Sequence, residues 1–379
     1  ESMHSDGGSG CSEALPSARP PLALRDECNL RVRPKDYPSD TSAKRQLWTI
    51  LPLLVTSNQQ AQHFVRTGNF ATWDAYLLNQ RTVLTIFHPD ESREANSTTP
   101  SADLHNVPRI VTTRIGLQAC GANADTIDGC TRYSTPKGNP LLMCPVKVKV
   151  PALYGGTLAS ARATRFPTFC GLRNAEYVVT TKWSTLPMLG MPIFKRFDFW
   201  VRVDYDVCFH ERVDPIQRLV DQQGYFFHSG IVNDPAQCTR TLSDFVQLFS
   251  MKNKCPTADD WKDLKPLLHD SSGILSESSA PKVFFSNFIG GWVPFWTSSL
   301  MLRFAESWHS WDGGWVYRWG DQQFWPAALQ VTATKEAKVL NFSTWRSTKV
   351  LEHGKRWADM LDRCAKSATK ADPGKQYPI

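Results

Sequence analysis

Short unbroken apolar runs alternate along the chain with stretches whose apolar residues recur at helical spacing. The first run, Leu47 to Val55, reads as a buried strand closed by the turn-like Thr56-Ser57-Asn58. A helix is predicted over Gln59 to Thr67 and a second strand over Val83 to Phe87, ending in His88-Pro89-Asp90. Strand, helix, strand so early predicts a parallel α/β sheet. Residues 91–145 read as loop-rich and hold Cys120, Cys130 and Cys144, and Lys147-Val148-Lys149-Val150 alternates like a short strand.

The second half is more regular. Phe197 to Val203 reads as a strand leading into Asp204-Tyr205-Asp206. Asp214-Pro215 supplies an N-cap and a first-turn proline for a helix carrying Ile216, Leu219 and Val220. Helices follow over Thr241–Ser250, Thr297–Trp308 and Phe324–Lys335, strands over Val283–Phe288 and Val339–Phe342, and a closing helix over Trp345–Lys366. Met251 to Lys282 is a polar, Ser-rich excursion, and Gly313-Gly314 breaks the chain before Trp315. No internal repeat is present.

Residues 1–43 have few large apolar side chains and are rich in Ser, Gly and Pro, as in SDGGSG. They cannot bury enough surface to offset ordering entropy and read as a flexible stem or linker. A domain over 44–370 and a tail over 371–379 complete the expected organisation. Of the 379 residues 41% are hydrophobic, enough for one large core. No apolar run approaches the ~18 residues a membrane span needs, so any membrane link is expected through an anchor outside this chain.

Charge narrows the function. The net charge is +7, but basic residues are scattered, and the densest cluster, Lys335 to Lys375, is interleaved with Glu336, Glu352, Asp359 and Asp362. That is a solvated face rather than a phosphate-tracking stripe, and no nucleic-acid partner is expected. Ten cysteines without a CxxC pair favour disulfides over a zinc ribbon. Cys120 with Cys130, and Cys238 with Cys255, lie close enough in sequence to be paired. The sequons Asn96-Ser97-Thr98 and Asn341-Phe342-Ser343 agree with an oxidising, glycosylating compartment.

The candidate chemistry centres on Asp204 and Asp206. Two residues apart in an extended chain, both carboxylates share one side. At a strand's carboxyl end they can hold Mn²⁺ or Mg²⁺ against a diphosphate. A DxD alone also arises by composition, as a capped loop with two solvated carboxylates.

Further segments supply context. Tyr177 is followed by Trp200-Val201-Arg202-Val203-Asp204-Tyr205-Asp206, then Phe284-Phe285-Ser286-Asn287-Phe288-Ile289 and Tyr317-Arg318-Trp319-Gly320-Asp321. In order and spacing these resemble glycosyltransferase family 15, the fungal Golgi α-1,2-mannosyltransferases, over residues 177–342. The resemblance implies an α/β, GT-A-type (Rossmann-like) nucleotide-sugar-binding fold with a mixed, mostly parallel sheet. It implies a retaining transferase that moves mannose from GDP-mannose to a glycan or glycoprotein acceptor in the Golgi lumen. By position it assigns Asp204 and Asp206 to the metal and donor diphosphate, Tyr177 and Ser286 to the donor, and Asn287 and Asp321 to catalysis.

Two positions depart from the family. Its candidate nucleophilic glutamate falls at Ile289, and its metal-binding histidine aligns with Trp325. Neither residue can do that work. The alternatives are front-face displacement without a protein nucleophile, recruitment of Glu306, His309 or Asp312, or a domain that binds without turnover. Seven tryptophans between residues 292 and 325 could include one or two sugar-stacking platforms.

Overall fold

The computed structural model describes residues 47–66, 69–79, 81–90, 107–120, 126–253, 282–311, 313–332, 338–354 and 358–371. The expected stem, the sequon at Asn96, Asp312, most of the Ser-rich excursion and nearly all of the tail lie outside these residues.

The apolar runs become strands because a central sheet needs residues that can be buried on both faces. Strands β1 (Thr49–Leu54), β2 (Thr82–Pro89), β3 (Gln118–Ala119), β4 (Thr126–Ile127), β5 (Cys130–Ser134), β6 (Pro140–Val146), β9 (Phe199–Val203), β11 (Gly224–His228), β14 (Phe288–Trp292) and β15 (Lys338–Asn341) form one ten-stranded sheet. Between them in sequence lie β7 (Arg165–Thr168), β8 (Gly171–Asn174), β10 (Val207–Phe209), β12 (Ile231–Asn233), β13 (Lys282–Phe284) and, last, β16 (Leu351–His353), which form three two-stranded ribbons.

The main sheet runs β15-β11-β14-β9-β1-β2-β6-β5-β3, with β4 beside β5. Its centre, β9-β1-β2-β6, is parallel, as the strand, helix, strand reading required. β14 runs antiparallel between β9 and β11, and β5 folds back antiparallel on β6. The sheet is therefore mixed around a parallel core. Helices such as Asn58–Arg66 and Ser299–Ser310 bury one face each. Asp214 caps the helix Pro215–Asp221 by accepting from the Gln217 amide at 2.9 Å, as expected.

Several local expectations fail, each for a physical reason. Residues 91–145 hold the helix Val107–Ile115 and β3 to β6: β3 and β4 are two residues each, too short to carry a pattern, while β6 is a buried apolar run between prolines. Lys147–Val150 alternates exposed and covered residues but pairs with no strand. The run Val283–Phe288 splits into β13 and β14 around the turn Ser286-Asn287. Gly313-Gly314 opens a short helix, Gly313–Val316, and a Cβ on Gly313 would stand 2.2 Å from the Trp319 ring. The closing helix is three elements: a short helix Ser343–Ser347, strand β16, and the helix Ala358–Ala371.

The disulfides are Cys130–Cys144, Cys170–Cys238 and Cys208–Cys364 among the described residues. The suggested pairs Cys120–Cys130 and Cys238–Cys255 are thereby excluded. Antiparallel pairing puts Thr131 opposite Met143, which sets Cys130 against Cys144 with Cα atoms 4.2 Å apart. Sheet register chose this partner over sequence proximity. Closing such a loop contributes about 3 kcal/mol in the chain-entropy account.

Buried histidines make the fold acid-sensitive, His228 the most deeply buried of those lowered by burial. His228, 2% exposed, stacks on Phe284 with ring centroids 4.3 Å apart. Burial pushes its pKa from 6.5 down to about 4, against a smaller opposing backbone hydrogen bond at Gly230. The unfolded chain thus binds a proton that the folded chain refuses. Stability from this group is complete above pH 6.5 and is lost as pH falls toward 4. The loss should total about 3 kcal/mol. Urea unfolding at pH 7 and pH 4.5 should show it, and His228→Gln should flatten that part of the pH dependence.

Candidate active site

Parallel neighbours β1 and β9 end side by side, and a cavity of about 480 Å³ opens beyond their carboxyl ends. Ligands of open α/β sheets bind in such a crevice. One wall is the helix Ala175–Trp183, which presents Tyr177, Thr180 and Thr181. Glu176 fixes that helix to the end of β1: its carboxylate accepts from Arg162 at 2.9 and 3.1 Å and from the Thr56 hydroxyl at 2.8 Å. Arg165 and Asn174, at the base of the β7–β8 hairpin, form part of the rim. The floor is Arg202, Asp204, Tyr205, Asp206 and His353.

Asp204-Tyr205-Asp206 is a turn between β9 and β10, not a continued extended strand. The Asp204 amide donates to the Asn287 carbonyl at 3.0 Å, and the Val207 amide donates to the Asp204 carbonyl at 2.9 Å. Tyr205 is held by Asn69, whose side-chain amide donates to the Tyr205 carbonyl at 2.9 Å. The turn, rather than strand periodicity, brings the two carboxylates together.

They meet on His353. Its Nε2 lies 3.2 Å from Asp206 Oδ1 and 3.6 Å from Asp204 Oδ2. Ligand atoms of the three side chains all lie within 4.8 Å of one another. Burial opposes a charged imidazole here, but hydrogen bonds to Asp204 and Asp206 outweigh it and raise the His353 pKa to about 9. The pair of carboxylates therefore already recruits a positive charge. Two carboxylates with one imidazole suit a divalent ion such as Mn²⁺, which takes oxygen ligands and tolerates nitrogen. The donor set fits the expected cofactor, and fits Mn²⁺ better than Mg²⁺.

Arg202 links this floor to the layer below. Its guanidinium donates to Asp204 Oδ1 at 3.0 Å and is ion-paired with Asp321, which is 2% exposed. Although burial opposes it, the charges of Asp321 and Asp204 raise the Arg202 pKa. Tyr177, 43% exposed, is pushed up to about 12 by desolvation and then by Asp321, so its phenol stays a neutral donor at physiological pH.

The remaining sequence-derived site residues divide. Tyr177, Asp204 and Asp206 line the cavity. Ser286, Asn287 and Asp321 are buried beneath it and are not among its walls. Asn287 supports the metal turn through its carbonyl, while its side-chain oxygen accepts from the Ser229 hydroxyl at 2.7 Å. Ile289 is fully buried on β14, in register between Arg202 of β9 and His228 of β11.

Trp325 is not a vacated ligand position. It is fully buried against Trp200 and Trp296, with ring centroids 5.0 Å away in each case. Among the described candidates recruitment is not seen either: Glu306 is exposed, and His309 Nε2 is engaged with the Thr185 hydroxyl at 2.8 Å. Trp292, Trp296, Trp308 and Trp319 are core residues, and none of the seven tryptophans lines the cavity. The group that sequence reasoning missed is His353, placed inside the expected closing helix. Gly354, with φ 131°, was the available signal of a break there.

No protein-family model matches the chain, and no curated protein matches it. Solved structures do. Core-mannan synthase A (CmsA/Ktr4) from Aspergillus fumigatus, in its Mn/GDP form, matches with a TM-score of 0.54 at 15% identity, over 94% of this chain and 92% of that one. The mannosyltransferase Ktr4p from S. cerevisiae matches with a TM-score of 0.56 at 12% identity, over 86% of this chain and 81% of that one. Its complex with GDP gives 0.54 at 13% identity, over 86% and 82%. At such identities the likeness speaks for architecture, and the chain has the GT-A-type, Rossmann-like fold of these mannosyltransferases.

Proposed function

We propose that this protein is a metal-dependent glycosyltransferase that moves a hexose from a nucleoside diphosphate donor to a glycan hydroxyl. The observation that carries the reading is the convergence of Asp204, Asp206 and His353 at the strand ends of a GT-A sheet. Two of the three similar structures hold GDP, one of them with Mn, which favours GDP-mannose as donor and Mn²⁺ as cofactor. Held by those three residues, the ion would offset the diphosphate charge and help it leave.

The chain's own groups do the rest. Arg165, exposed on the rim, offers a cation to an anionic donor. Tyr177 offers a neutral hydroxyl to the donor. Arg202 holds Asp204 in place, with Asp321 and Asn287 supporting the floor from below. Ile289 can neither attack nor accept a proton. Retention then requires the acceptor hydroxyl to approach from the leaving-group side, its proton passing to the departing phosphate oxygen. The three disulfides support a secretory-pathway lumen, such as the Golgi. In this reading residues 44–370 form the catalytic unit, 1–43 its stem and 371–379 a tail.

Ile289 also favours a second reading, a binding module that keeps the fold without turnover. A panel of GDP- and UDP-sugars with a mannoside acceptor, assayed with Mn²⁺ and with EDTA, separates the two. The expected result is Mn²⁺-dependent hydrolysis and transfer, greatest with GDP-mannose. Metal-dependent binding of a nucleoside diphosphate with no turnover of any donor would establish the module instead.

A further inference from the structure

His353 reaches the carboxylates on a strand outside the main sheet. Among the described residues β16 pairs with β10 alone, Val207 opposite His353 and Cys208 opposite Glu352. β10 is anchored from the other side. The Trp73 indole donates to the Val207 carbonyl at 2.8 Å, and the Phe209 amide donates to the Thr72 hydroxyl at 3.1 Å. Leu351 ties β16 to the core, where it is fully buried, and Glu352 takes a further anchor.

The helix Ala358–Ala371 supplies one. Cys364 is bonded to Cys208, and both are buried with Met360 in a small apolar cluster. Arg363 grips Glu352 with hydrogen bonds of 2.6, 3.0 and 3.1 Å. His210 bridges the three elements, with Nε2 3.1 Å from Glu352 and Nδ1 2.5 Å from the Ser367 hydroxyl.

Cys208, His210, Glu352 and Cys364 offer ligand-type atoms within 4.8 Å of one another, which raises the question of a second metal. The cluster is not arranged for one. Its sulfurs are spent on each other, and both Glu352 oxygens are held by Arg363 and His210. What it does is fasten β16 from both sides of the ribbon.

We propose that this cluster is a latch: Glu352, Arg363 and the Cys208–Cys364 bond are positioning residues that hold His353 against Asp204 and Asp206. The proposal rests on the metal site described above. A ligand one residue from Glu352 inherits whatever freedom β16 has. With the latch intact, the imidazole is placed before the ion arrives. Partners of ligating residues commonly change metal affinity about 10–100-fold.

The test is Mn²⁺ affinity by calorimetry on the full chain, for Glu352→Gln, Arg363→Gln and Cys208→Ser/Cys364→Ser, with Cys130→Ser/Cys144→Ser as control. Circular dichroism and nucleoside diphosphate binding in EDTA report whether each variant keeps its fold and cavity. The latch variants should bind Mn²⁺ about 10–100-fold more weakly, while the control and the metal-free nucleotide affinity stay unchanged. In a His353→Ala background the latch substitutions should cost nothing further. Unchanged Mn²⁺ affinity in folded latch variants, or an undiminished effect without His353, overturns the latch. If the bonded-cysteine variant fails to fold, Glu352→Gln and Arg363→Gln still decide. If His353→Ala itself leaves Mn²⁺ affinity unchanged, it is the metal-site reading that has failed.

Discussion

Replacing His353 with alanine should weaken Mn²⁺ binding by more than about 100-fold, beyond the effect expected for loss of a supporting partner. Asp206→Ala should go further and abolish the Mn²⁺ dependence of nucleoside diphosphate binding. Both follow from the geometry, in which Asp206 and His353 stand 3.2 Å apart and Asp204 completes the set. Asp204 is additionally engaged by Arg202, so Asp204→Ala would disturb the floor as well as the ligand set. Asp206→Ala is the cleaner probe for that reason. Its effect on the melting temperature should be small, because the side chain serves a partly solvated cluster rather than the core. Calorimetric titration with Mn²⁺, in the presence and absence of GDP, reads both outcomes. Equal GDP affinity with Mn²⁺ and with EDTA in the unsubstituted protein would remove the metal from the mechanism.

Trp325→His should unfold the protein, or nearly so, rather than complete a metal site. The indole is fully buried among Trp200, Trp296, Phe226 and Phe324. An imidazole there leaves a void and introduces polar nitrogens into an aromatic cluster. Emptying a large aromatic position costs about 3–5 kcal/mol, and an unpaired polar group adds to it. Trp325→Phe keeps most of the apolar contact and should cost clearly less. Guanidinium unfolding of the three proteins checks the order. A Trp325→His protein of unaltered stability that gains Mn²⁺ affinity would mean that this indole sits at the metal after all.

The same comparison shows where one-dimensional reading worked. Runs such as Leu47–Val55 and Val83–Phe87 are apolar on both faces, which only a strand buried on both sides requires, and they became β1 and β2. Asp214-Pro215 named its helix start through local hydrogen bonding alone. Tyr177, Asp204 and Asp206 reached the cavity because a strand's end and the helix of its crossover wall are set by local order. Trp325 misled because a residue's place in a motif says nothing about which way its helix turns it.

The sequence by itself determined the α/β class, the parallel core, the oxidising chemistry of the cysteines and the carboxylate pair. All of these rest on composition or on neighbours in the chain. Only the tertiary structure decided the third member of the metal site, the partners of the cysteines and the depth of Asp321, Asn287 and Ile289. His353 lies well over a hundred residues beyond Asp206, on a three-residue strand set by pairing with β10 and by burial of Leu351. So short a strand has no periodicity to read, and backbone pairing across that distance is fixed when the chain closes on itself.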